Sequence, residues 1–187
     1  MKSKLLYVFI AMALFACKDD DDDQPVTPVI PNEEEVITTV RYTLTPTGGG
    51  AVVVFQFQDL DGDGGNAPVI TADSIDANTA YTGAVEFLDE LKSPAEDITE
   101  EVLAEGLEHQ VFYQVAFGDF VIQYADQDSN GNSIGLSTNF QSNTTGGNLT
   151  VILKHEPAKT AAGVSAGDIT NAGGETDIEV VFPVNVR

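Results

Sequence analysis

From Val36 onward the chain alternates. Val36, Thr38, Val40, Tyr42 and Leu44 fall on one side, and Ile37, Thr39, Arg41 and Thr43 on the other. A period of two is what a half-buried strand imposes on its side chains. Thr47-Gly48-Gly49-Gly50 breaks the run as a turn, and residues 51–58 resume it with Val53, Phe55 and Phe57 on one face. The same pattern returns over 81–88, 111–117, 120–124 and 149–155. A last strand carries Ile178, Val180, Phe182, Val184 and Val186 on one face, with Pro183 on the other. Proline lacks an N–H and so suits an edge strand. Helical signal occurs once, over 94–105. Ser93 would cap it, Pro94 would open it, Glu96 would close a capping box and Gly106 would end it, with Ile98 and Val102 facing the core.

Two stretches of this pattern resemble each other in letters as well as in period. Val54-Phe55-Gln56-Phe57-Gln58-Asp59 matches Val121-Ile122-Gln123-Tyr124-Ala125-Asp126, and Asp97-Ile98-Thr99 recurs as Asp168-Ile169-Thr170. Val85, Phe87 and Glu90 match Val151, Leu153 and Glu156, while 111–115 resembles 180–184. A spacing of about seventy residues implies an internal duplication, with halves near 36–107 and 108–187. The expected fold is all-β and mainly antiparallel, a β-sandwich of about eight or nine strands with one short helix, forming a single domain over 36–187. Neither half is long enough to build a generous core by itself.

Composition changes the picture at the N-terminus. Lys2 and Lys4 precede an apolar stretch from 5 to 13, the layout of a secretory signal over 1–16. That stretch is too short to span a bilayer, which takes about 20 apolar residues. Leu14-Phe15-Ala16-Cys17 follows, and Cys17 is the only cysteine. The motif resembles the lipobox of bacterial lipoproteins. The resemblance implies a diacylglyceryl group on the Cys17 thiol, cleavage before it and acylation of the new amine. Two or more acyl chains hold a protein on a membrane where one would not. Lys18 and the run Asp19–Asp23 resemble the export tag of surface lipoproteins in some Gram-negative bacteria, which implies the outer face of the outer membrane; the periplasmic face is the alternative. Pro25, Pro28, Pro31 and Glu33 to Glu35 continue an extended, self-repelling spacer over 17–35, up to about 60 Å long.

The chain has 30 acidic and 8 basic residues, a formal charge of −22, which excludes a polyanion such as nucleic acid as partner. Part of that charge is patterned. Asp59-Leu60-Asp61-Gly62-Asp63-Gly64 places acids at the first, third and fifth positions and Gly at the sixth. Asp126, Asp128 and Asn130, followed by Gly131, repeat the pattern. Ca²⁺ takes six to eight hard oxygen ligands, several of them from one tight loop. Both loops resemble the first half of an EF-hand loop and the Asp-rich loops of extracellular calcium repeats. An EF-hand needs a bidentate Glu at position 12, where Ile70 and Ser137 stand here, and its flanking helices are absent. A calcium site would therefore be weak, or would borrow a remote acid such as Asp73, Asp76, Glu175 or Asp177. The competing reading is a polar Asp-Gly turn.

Other constellations carry less. His109 and His155 are the only histidines, and His155, in register with Leu149, Val151 and Leu153, reads as a half-buried strand end. Ser74, Ser137 and Ser165 lie outside any nucleophile-elbow sequence. The Gly-rich stretches 163–167 and 172–174 lack P-loop spacing and read as flexible loop. Asp73-Ser74-Ile75 resembles a short O-glycosylation signal of bacterial surface proteins, which would modify Ser74. As a whole, the chain resembles small acidic surface lipoproteins with a Pro/Glu spacer and a Gly/Asp-rich β domain. Relatives of that kind are sometimes labelled as a type 1 periplasmic binding fold, an α/β architecture that this strand-rich pattern does not fit. The expected role is a non-catalytic surface module that contacts glycan or another envelope protein, stabilised by calcium. An accessory subunit of an envelope transport or uptake complex is the alternative, and a calcium-assisted hydrolase a third reading.

Overall fold

The computed structural model of the chain describes residues 35–62 and 65–187. The signal segment, Cys17, the spacer up to residue 34, and Asp63 lie outside the described residues. The chain folds into two antiparallel sheets. The larger contains β1 (Thr39–Pro46), β2 (Val53–Gln58), β3 (Val69–Ala72), β4 (Ala80–Asp89), β5 (Glu96–Asp97), β7 (Val121–Tyr124) and β8 (Ser137–Gln141), in the order β3-β2-β1-β4-β8-β7, with β5 paired to β4. The smaller contains β6 (His109–Ala116), β9 (Gly147–His155) and β10 (Glu175–Val184), in the order β10-β9-β6. Among the described residues the architecture is a sandwich-like all-β fold with one α-helix, α1 (Ile98–Ala104).

Alternation and register together make the core. Tyr42 of β1 lies opposite Phe55 of β2 and Val85 of β4, and Val40 lies opposite Phe57 and Phe87. On the small sheet, Leu153 of β9 lies opposite Val111 and Ile178, and Leu149 opposite Val115 and Phe182. The sheets meet through aromatic contacts: Phe55 and Phe182 at 5.9 Å between ring centroids, Tyr42 and Tyr113 at 5.5 Å. Tyr42, Phe55, Phe87 and Phe182 are fully buried, each worth roughly 1.5–3 kcal/mol over leaving it in water. The Tyr42 hydroxyl shares a buried 2.6 Å hydrogen bond with Thr138 Oγ1 of β8, so the one polar atom of that ring is satisfied. Pro183 sits on β10, an edge strand of the small sheet.

Three expectations are corrected. The helix begins at Ile98, not at Pro94, and its cap is Asp97, whose side chain accepts from the Thr99 N–H. Glu96 and Asp97 instead extend the sheet by pairing with Asp89 and Leu88, so Ser93 and Glu96 form no capping box. The second Asp-Ile-Thr behaves alike: Asp168 caps a 3₁₀ turn over Ile169–Asn171 through the Thr170 N–H. The Gly-rich stretch is not a flexible loop. It folds into two 3₁₀ turns whose Val164 and Ala172 bury against Phe112 and Ile152 on the outer face of the small sheet. Gln110 fixes it there by donating from Nε2 to the Val164 carbonyl at 2.8 Å. Third, β3 and β8 lie where no strand was expected.

Candidate functional site

The acids picked out by spacing do different things in the two loops. In the first, Asp59 Oδ1 accepts from the backbone N–H groups of Asp61 and Gly62 at 3.2 and 2.9 Å. Asp61 Oδ2 accepts from the backbone and side-chain N–H of Asn66 at 3.0 and 2.6 Å. These donors hold the Asp61 carboxyl below its ordinary range. Both Asp residues line an open cleft of about 500 Å³ whose walls include Phe57, Leu60, Leu91 and Ile178, and Asp177 lines the same cleft. Of the four remote acids named from the sequence, the fold therefore brings Asp177 to this loop. Asp73 instead accepts from the Val54 N–H, Asp76 pairs with Arg187 at 2.7 Å, and Glu175 lies opposite His155.

The second loop is closed by internal donors and an ammonium. Asp126 clamps the approach to β8, accepting from the N–H groups of Gly135 and Ser137 at 2.8 and 2.9 Å. Asp128 Oδ1 accepts from the N–H groups of Asn130 and Asn132 at 2.9 and 3.0 Å. Its Oδ2 accepts from Lys159 Nζ at 3.1 Å, inside the protein. Lys159 Nζ also donates to the Ser133 carbonyl at 3.1 Å and to that of Gly106. Burial works against the Asp128 charge, but the Asn132 N–H, Lys159 and the Asn130 N–H outweigh it and hold this carboxyl below its ordinary range. Asn130 is exposed and contributes its backbone N–H. Ser74 lies half-buried between β3 and β4.

A cluster that spacing did not single out lies at the inner end of the small sheet. Antiparallel pairing sets His109 directly opposite His155, and His155 opposite Glu175. The two imidazoles stack at 4.8 Å between centroids, and His155 Nε2 lies 3.9 Å from Glu108 Oε2. His109 is wholly buried, and its Nδ1–H donates to the Glu105 carbonyl at 3.3 Å. Its Nε2 therefore faces the other way, 3.0 Å from Glu35 Oε1 but without hydrogen-bond alignment. Asp177 reaches the same point from a bulge in β10, where the register shifts between Thr176 and Ile178; a bulge re-aims a side chain in this way. One ligand atom from each of Glu35, His109 and Asp177 lies within 4.8 Å of the others.

The electrostatics follow from burial and like charge. Burial, then the Glu35 charge, pushes the Asp177 carboxyl up to about 6, with the two imidazoles pulling the other way. Burial would lower His109, but the Glu35 carboxylate and then Asp177 prevail, and its pKa is raised. The pairing of the two histidines was within reach of the sequence: both lie at the ends of alternating runs, and antiparallel neighbours align such ends. The contributions of Glu35 and Lys159 had no such signal.

Comparison with protein-family models, with curated proteins and with solved structures finds no match to this chain. Among the described residues, no helix is long and apolar enough to cross a membrane.

Proposed function

We propose that the protein is a cell-envelope lipoprotein, anchored through the lipid on Cys17 and displayed at the outer membrane, whose sandwich is a non-catalytic binding module. The observation that carries this reading is the cleft. It joins apolar walls (Phe57, Leu60, Leu91 and Ile178) to acids on two separate elements, Asp59 and Asp61 on one rim and Asp177 on another. Apolar walls combined with placed polar groups are the usual form of a binding site. Calcium held by Asp59, Asp61 and Asp63 would give the first loop a hard cation at the rim, with weak, extracellular-range affinity of about 10⁻⁴–10⁻³ M. The ligand class is a glycan or another envelope protein that engages this rim.

The test is crosslinking and pull-down from intact cells, with calcium and with chelator, using the wild type and Asp61→Ala. A specific envelope component recovered with calcium, and lost with chelator and in Asp61→Ala, is the expected result. Recovery that ignores both treatments sinks the calcium-rim reading. A domain that survives protease shaving of unpermeabilised cells sinks surface display.

A further inference from the structure

The point where Glu35, His109 and Asp177 meet is short of a cation. His109 donates from Nδ1 to a backbone carbonyl, so in the neutral ring Nε2 presents a lone pair. In the unprotonated ring that lone pair would face a carboxylate oxygen at 3.0 Å, a contact that is an ion pair only when a proton occupies Nε2. Asp177 Oδ2 is shut away from solvent and finds no hydrogen-bond partner among the described residues, and the same holds for His109 Nε2. Buried acceptors left in this state are costly, and proteins pair them. Further acids crowd the cluster: Glu35 also comes together with Glu101 and Glu105, and Glu175 and Glu108 flank His155.

The geometry points to a binding site for a divalent transition ion of the zinc class, held by His109 Nε2 and the carboxylates of Asp177 and Glu35. A neutral imidazole anchored through its far nitrogen to a backbone carbonyl is the arrangement that metal-ligating histidines use. On a tetrahedral zinc, with bonds of about 2.0–2.2 Å, ligand atoms lie roughly 3.3 Å apart, close to the 3.0 Å between Nε2 and Oε1. A nitrogen donor among two carboxylates favours this class over calcium, which takes oxygen ligands only. The three ligands come from the chain's entry into the domain, the start of β6 and the bulge of β10. One ion there would tie the entering segment to the small sheet. Asp177 also lines the cleft, so the ion would sit beside the proposed binding site, but the inference does not depend on that reading.

The experiment titrates zinc into the purified full chain carrying Cys17→Ser, which removes the only thiol. Calorimetry should give one saturable equivalent. With zinc at about a hundred times Kd, the folded-to-unfolded ratio should rise about a hundredfold, read as a higher melting temperature. Cobalt should show the visible bands of a four-coordinate site. Asp177→Asn and Glu35→Gln, which preserve side-chain shape, should each weaken binding at least tenfold, and calcium at equal concentration should not compete. His109→Gln should abolish binding; because His109 is fully buried, the two carboxamide variants carry the test if that variant fails to fold. The inference is overturned if wild type shows no saturable equivalent, or if binding persists unchanged in Asp177→Asn and Glu35→Gln. It is equally overturned if stability responds to pH but not to zinc, which would assign the missing cation to a proton.

Discussion

Replacing Lys159 with Met tests how the second Asp loop is held. The Lys159 side chain is 4% exposed and that of its partner Asp128 is 1% exposed. The Lys159→Met change keeps an unbranched apolar stem but removes three donated hydrogen bonds, to Asp128 Oδ2 and to the carbonyls of Ser133 and Gly106. Removing one partner of a buried ion pair destabilises by about 3–5 kcal/mol, because the other charge stays behind uncompensated. Asp128 keeps two backbone donors on Oδ1, which places the expected loss at the lower end, about 3 kcal/mol. For a domain of this size each kcal/mol moves the melting temperature by about 2–4 °C, so a drop of about 10 °C is expected. Urea unfolding should show a lower midpoint at unchanged slope. The double variant Lys159→Met/Asp128→Asn should regain part of the loss, since it removes the stranded charge. A loss below about 1 kcal/mol, or strictly additive effects of the two changes, would refute the reasoning.

Two further outcomes follow from named contacts. The Asp177 pKa rises on folding from 3.8 to about 6, and that of His109 is also raised. Both groups hold their proton more tightly when folded, so their contribution is present at mildly acidic pH and is lost as pH rises through the folded values. Metal-free protein should therefore be less stable at pH 8 than at pH 5, by about 1–2 kcal/mol after allowing for the partial exposure of Asp177, as read by urea unfolding; Asp177→Asn should flatten that slope, and a slope of opposite sign would contradict it. In Gly83→Ala, the new Cβ would collide with Thr138 Oγ1 and meet the Tyr42 hydroxyl at 2.6 Å, so the buried hydrogen bond between them must give way. Urea denaturation should show a loss of about 1–3 kcal/mol, and a change under about 0.5 kcal/mol would mean that the pocket relaxes freely.

What the sequence discloses here is set by which forces leave a local imprint. Tyr42, Phe55, Phe87, Leu153 and Phe182 were legible as core because each strand repeats its choice of face every second residue. β8 was not, because its buried face consists of Thr138 and Phe140 alone, and a buried threonine looks polar until its partner Tyr42 is known. β3 was hidden for the opposite reason: its residues are largely exposed on both faces, so no alternation is selected. The helix start was misplaced because Ser93-Pro94 carries a generic capping signal, while Asp97 acts through one specific contact. Glycines 163 and 167 suggested freedom, yet both take left-handed conformations at the ends of a 3₁₀ turn, and Val164 between them is the residue that buries. The Asp loops were legible as loops but not as to their carboxylate partners. The ends of alternating runs hint that His109 meets His155, but the bulge that brings Asp177 to that end of the sheet is not written in local spacing.

The position of β10 has a consequence in time. It is the last of the described strands, yet Phe182 packs at a tilt against Phe55 of β2, and Ile75, between β3 and β4, bridges to Val186. Until β10 joins, Phe55 lacks its Phe182 neighbour and Leu149 and Leu153 lack their partners on that side, although β1 and β6 can already meet through Tyr42 and Tyr113. Closing the sandwich therefore waits on pairings between segments far apart in sequence, the kind whose loop-closure cost slows folding.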